Sequence, residues 1–169
     1  IGRRVVHAAG SQSMSSQPQT AIQCLARVAG HHGIDLSVDR MCHAYAIGDA
    51  PISQVLLLRM AKDAGLRARA ARLKWNKLSE LGEAYPALAR LANGNWIVVV
   101  GICEGTTGEQ SLSVFDPLAE QPEPIIVPKE MFCANWDGEV MLVKRGRKPS
   151  VPSSFGFRWF IPELLRERR

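Results

Sequence analysis

The sequence predicts an α+β domain, with helices first and a mostly antiparallel sheet second. Two observations carry this expectation. Between Pro18 and Gly65 the apolar residues recur at helical spacing. From Leu66 to Arg145 the chain breaks into short apolar or β-branched runs, divided by Asn-Gly, Gly-rich and Pro-rich turns. Helices and strands segregated along the chain in this way pack as two layers around one core.

The elements follow in order. Ala21, Ile22, Leu25, Val28 and Ala29 predict a helix from about Pro18, whose missing N–H suits a first turn, to Gly30 or Gly33. "SVDRMCHAY" predicts a short second helix capped by Ser37. "PISQVLLLRMAKDAG" predicts a third, with Pro51 in its first turn, Ser53 close by and Gly65 as its stop. "LRARAARL" alternates as a strand, and "KWNKLSELG" reads as a brief helical turn. "YPALARL", "NWIVVVGI", "QSLSVFDP", "EPIIVPK" and "DGEVMLVKR" supply the remaining strands. The unbroken apolar run "WIVVVGI" suits a central strand covered on both faces. Residues 1–16 read as a disordered leader, or as a remnant ahead of a native start at Met14. Residues 17–145 read as the folded domain, 146–154 as a linker, and 155–169 as an aromatic, basic, amphipathic segment.

Charge divides the chain further. From Lys144 onward there are eight basic and two acidic residues, while residues 14–143 carry eleven basic against fourteen acidic. A slightly acidic body with a basic tail argues against a nucleic-acid-binding domain, which would carry its basic patch on the body. The tail suits an anionic lipid surface or a juxtamembrane position instead. No apolar run is long enough for a membrane-spanning helix. Cys24, Cys42, Cys103 and Cys133 share no CxxC or CxxH spacing, so no metal site is expected, and four reduced, mostly buried thiols are.

Cysteine, histidine and aspartate all occur, so thiol-protease chemistry has to be weighed. A nucleophilic thiol belongs on the first turn of its helix, where the helix N-terminus lowers its pKa. Cys24 lies a turn or more past Pro18, beside Ile22 and Leu25, and reads as a packing residue. His31 and His32 follow it by seven and eight residues, about 10–12 Å along a helix axis. They cannot serve as its base.

The order "CLARVAGHHG", "YPALARLANGNWIVVVGI", "SVFDP" resembles the peptidase domain of bacteriocin-processing ABC exporters, family thirty-nine of the cysteine peptidases. That resemblance implies a papain-like fold, a helical lobe followed by a sheet. In the family, Asp-Cys-Gly-x-x-Cys-Leu opens the first helix, and its first cysteine is catalytic. Cys24-Leu25 matches the second, structural cysteine, which puts Thr20 at the nucleophile position and Ala21 at the glycine. "NWIVVVGI" matches the strand that begins with the catalytic histidine and puts Trp96 there. "VFDP" puts Asp116 at the third triad position. The family's oxyanion glutamine falls near Met14, with Gln12 and Gln17 out of register. The resemblance therefore implies a degenerate peptidase, with no catalytic residue among Thr20, Trp96 and Asp116.

The tail "FGFRWFIPELLRERR" resembles the segment that leads into the first transmembrane helix of haemolysin-type exporters of type I secretion. By that resemblance Phe155, Phe157, Arg158, Trp159, Phe160, Arg166, Arg168 and Arg169 lie at the cytoplasmic face of the bacterial inner membrane. The implied role is a substrate-docking domain that binds an unfolded secreted toxin or adhesin with acidic repeats. Its other partners would be the exporter's own transmembrane and ATPase domains and a membrane-fusion protein. No cofactor is implied for this stretch, since no Gly-x-x-x-x-Gly-Lys-Ser/Thr occurs and ATP and Mg would belong to the ATPase domain. Trp75 and Trp96 are the candidate substrate contacts. Two other roles stay open: an active peptidase cutting double-glycine leaders, and a structural or regulatory domain touching only its own transporter.

Overall fold

The structure is a computed structural model and describes residues 17–146. The expectations for residues 1–16, for the linker beyond Gly146 and for the aromatic tail from Phe155 to Arg169 lie outside the described residues. Three helices come first: α1 (Gln17–His31), α2 (Val38–Ala44) and α3 (Gln54–Asp63). Then follow β1 (Leu66–Arg72), the short α4 (Trp75–Ser79), a 3₁₀ turn at Gly82–Ala84, β2 (Ala87–Leu91), β3 (Trp96–Glu104) and β4 (Gln110–Phe115). β5 (Ile125–Pro128), α5 (Lys129–Ala134) and β6 (Trp136–Arg145) complete the domain. The strands form one six-stranded sheet in the order β1-β6-β2-β3-β4-β5, and every pairing is antiparallel.

Capping chemistry sets the helix starts. Ser37 accepts the N–H of Arg40 and Ser53 accepts the N–H of Leu56, each satisfying an otherwise orphan donor. Ser53 is thus the cap of α3, and Pro51 lies before the helix, not in its first turn. Gly30 is internal to α1, which runs on to His31 before Gly33 turns the chain at φ +76°. The strand read in "EPIIVPK" ends at Pro128; Lys129 instead opens α5, whose residues 130–134 the sequence reading assigns to no element.

The sheet is covered on both faces. α1, α2 and α3 bury Ile22, Leu25, Val28, Leu57 and Met60 against Leu88, Trp96, Val98, Met141 and Val143. On the opposite face α4 and α5 bring Leu78 and Phe132 onto Ala89, Ile97, Val99, Leu112, Val114 and Val140. β3 alternates between the two cores, Trp96 and Val98 on one side, Ile97 and Val99 on the other. This is the two-sided burial that its unbroken apolar run predicts. Each fully buried Leu or Ile here contributes about 1.5–3 kcal/mol. Only Cys24 is a buried thiol. Cys42 and Cys133 are half-buried and Cys103 is exposed, so the expectation of mostly buried cysteines is corrected.

Candidate functional site

The residues singled out by the sequence meet where the start of α1 crosses the start of β3. Thr20 and Cys24 are one helical repeat apart, so both side chains leave the same face of α1. The Thr20 hydroxyl accepts the backbone N–H of Trp96 at 3.2 Å, and the Cys24 S–H donates to the Trp96 carbonyl at 3.2 Å. Both main-chain groups of Trp96 are therefore held by α1. All three residues are enclosed: Thr20 is 1 % exposed, Cys24 0 % and Trp96 3 %.

That enclosure determines the chemistry available. Burial pushes the Cys24 thiol well above its ordinary value, and the negative charge of Asp116 pushes it in the same direction. A thiol that is hard to ionise and closed to solvent is the opposite of an activated nucleophile. The described histidines are elsewhere. His31 and His32 lie at the end of α1, where the His32 ring donates to the Val143 carbonyl at 3.1 Å, and His43 lies on α2. Among the described residues no group of three or more His, Cys, Asp or Glu could hold a metal ion.

Trp96 occupies the position that the resemblance gives to the base, but its indole is core and offers no face to a ligand. The expectation that it stacks on substrate is corrected by its 3 % exposure. Trp75 opens α4. Its indole N–H donates to Gln110 at 2.9 Å, its ring meets Phe132 edge-on at 6.3 Å, and Lys129 lies over it at 5.3 Å. It is half-buried, braced from three sides, with part of its surface open.

Asp116 follows the last residue of β4, and its carboxylate caps a turn by accepting the Leu118 N–H at 2.9 Å. It also stands on the rim of a cleft of about 180 Å³ on the α5 face of the sheet. Ile97, Val114, Val127 and Phe132 line its apolar interior, with Asn93 and Asn135 on the rim beside Asp116. Ile125, 42 % exposed, and Met131, 59 % exposed, form its lip, and the neighbouring Ile126 is 60 % exposed. A second cleft of about 230 Å³ lies on the α1 face, between Arg27, His31, Tyr85, Val100 and Phe115. The α5-side cleft was not foreseen. It gathers residues spread from Leu91 to Asn135 through the strand pairing, and the short β5 carries no periodicity to reveal it.

Comparison with known proteins assigns the fold. The family described as "Peptidase C39 family" matches residues 11–148. The chain belongs to that family. Among curated relatives, a leukotoxin export ATP-binding protein of Aggregatibacter actinomycetemcomitans is 29% identical over 159 residues, 92% of this chain and 22% of its own length. An alpha-hemolysin translocation ATP-binding protein of Escherichia coli O157:H7 is 26% identical, covering 88% of this chain and 20% of its own length. The chain thus spans about a fifth of the curated relatives it matches. The solved N-terminal peptidase C39-like domain of a toxin secretion ATP-binding protein from Vibrio parahaemolyticus superposes with a TM-score of 0.62 at 26% identity, over 76% of this chain and 97% of that one. The peptidase domain of Streptococcus ComA superposes at 0.63 with 19% identity, over 78% of this chain and 93% of that one, a likeness of fold. The C39 domain described here therefore has its relatives among toxin-exporting ABC transporters.

Proposed function

We propose that this C39 domain is a non-catalytic docking module of a type I secretion ABC transporter, receiving unfolded cargo on the cytoplasmic side of the inner membrane. The observation that carries the reading is the closed Thr20–Trp96–Cys24 contact. The first turn of α1 presents a hydroxyl committed to a main-chain N–H, and the facing strand presents a buried indole. Acyl transfer needs an activated nucleophile and a base within hydrogen-bond reach of it. Among the described residues no histidine and no ionisable thiol faces this crossing, which supports the non-catalytic reading.

What remains is surface suited to extended chain. The α5-side cleft pairs an apolar interior with a polar rim, the pattern of a peptide subsite. Beside it β5 is an edge strand with exposed Ile125 and Ile126, and an open edge can accept a further strand. Full-length partners of the domain would be the transmembrane and ATPase parts of its own transporter and a membrane-fusion protein. ATP and Mg would act in the ATPase part.

Isothermal titration tests the reading, using a chemically unfolded glycine- and aspartate-rich repeat polypeptide as probe. Binding of the unfolded probe, weaker binding once it folds, and loss of affinity in Ile126→Glu are expected. No binding of the unfolded probe would favour a domain that contacts only its transporter. The family's name favours the competing reading, an active leader peptidase, and cleavage of a double-glycine peptide separates the two.

A further inference from the structure

The outer strand pair of the sheet carries a cationic face. In the antiparallel pairing of β1 with β6, Arg67 is the direct partner of Lys144, and Leu66 is the partner of Arg145. Arg69 follows Arg67 on the same face of β1, since strand side chains alternate. Residues directly opposite on one face have Cβ atoms about 4.5–5.5 Å apart, and like charges there are destabilising. Arg67, Arg69, Lys144 and Arg145 are all exposed, and none of them makes an ion pair among the described residues. The carboxylates of β6 and the residues before it serve the other end of the sheet: Asp137 pairs with Arg72 and Glu139 with Arg90. Asp63, the nearest acid on α3, is taken by Arg59 and the Tyr45 hydroxyl.

The last described residue, Gly146, also lies at this corner. The Gly146 N–H donates to the Gly65 carbonyl at 3.1 Å, and the next residues in sequence are Arg147 and Lys148. In sequence, Lys144 and Arg145 are followed, after Gly146, by these two further basic residues.

We propose that the β1–β6 face, through Arg67, Arg69 and Lys144, rests on an anionic phospholipid surface. The geometry selects an extended array of negative charge. The three side chains are exposed and line an open cleft of about 460 Å³ beside Ala68 and Leu142, with no buried donor to grip a single small anion. Repulsion between Arg67 and Lys144 costs stability in the free domain and is relieved when phosphate headgroups screen it. With no apolar anchor in the patch, attachment is electrostatic and salt-sensitive, as for other basic segments at anionic bilayers. The proposal is independent of cargo docking and of any peptidase activity.

Vesicle co-sedimentation of the whole chain tests it, comparing phosphatidylcholine vesicles with vesicles of equal parts phosphatidylcholine and phosphatidylglycerol. Preference for the phosphatidylglycerol vesicles is expected, together with a loss of about a hundredfold or more in affinity in Arg67→Glu/Arg69→Glu/Lys144→Glu. Lys144→Glu alone should weaken vesicle binding while raising the thermal midpoint, because it places an opposite charge across from Arg67. A folding defect would weaken binding and lower the midpoint together. Should the triple reversal not fold, Arg67→Gln/Arg69→Gln/Lys144→Gln serves in its place. Unchanged affinity in the face variants would assign binding to the tail alone and overturn the proposal. Equal binding to both vesicle types would overturn it too. So would capture of a polyglutamate peptide without vesicle binding, which would point to an acidic polypeptide.

Discussion

The hydroxyl of Thr20 accepts the main-chain N–H of Trp96, and Cys24, one repeat along α1, donates to the carbonyl of the same residue. The helix is thereby fastened to the first residue of a central strand through both of its peptide groups. Removing one side of such a contact leaves a buried donor unsatisfied. Thr20→Val keeps the shape and removes the acceptor, and is expected to cost about 1–3 kcal/mol in urea unfolding. Thr20→Ser should retain most of the stability. Equal midpoints for the valine and serine variants would contradict the contact.

Cys24 should be chemically silent in the folded domain. Native-state alkylation is expected to label exposed Cys103 first and to spare Cys24 until denaturant is added. Mass spectrometry of the labelled peptides reads the order. Early modification of Cys24 would show that the α1–β3 crossing opens.

Alkaline pH should destabilise the domain. Burial raises the Cys24 thiol, and it raises the Tyr85 phenol to about 12. Both groups stay protonated in the folded chain at pH values where the unfolded chain has already lost those protons. The unfolded state then binds fewer protons, so stability falls as pH rises. The fall begins near the unfolded thiol value of about 8.5 and continues past the phenol value of about 10. Thermal midpoints should drop across this range, and Cys24→Ala should flatten the first part of the curve. A midpoint constant from neutral to strongly alkaline pH would contradict the burial of both groups.

Gly138 controls how the end of β1 delivers Trp75. Its φ is +98°, and a Cβ there would lie 2.7 Å from the Leu73 carbonyl. Its own carbonyl accepts the Leu73 N–H at 2.9 Å. Gly138→Ala must break this approach, at an expected cost of about 1–3 kcal/mol, and must shift α4. Gly108→Ala has the same sign of φ but open space around it, so it should cost about 1 kcal/mol. Chemical denaturation of the two variants compares them, and a smaller loss at position 138 would contradict the steric account.

Local chemistry made some of this legible in the sequence. The stripe from Ala21 to Ala29 gives α1, the serine caps give α2 and α3, and "WIVVVGI" gives a strand buried on both sides. The spacing of Cys24 from Pro18 places the thiol in the core. What stayed hidden depends on pairing between distant residues. The side to which Trp96 turns follows from its place in the β2–β3 register and from the Thr20 bond, neither of which leaves a local mark. The opposition of Arg67 and Lys144 follows from a strand pairing across most of the domain, and a charge count along the chain puts the two in different segments. Pro51 resembles a helix start, but Ser53 offers the better cap, and the helix begins after it.

Cleavage of a fluorogenic double-glycine leader peptide by the purified chain tests the central claim most directly. Activity no greater than in a Cys24→Ala control, and indifferent to thiol alkylation, is the predicted result. Turnover that requires a thiol and disappears in Cys24→Ala would show that the α1–β3 crossing is an active site, contradicting the account.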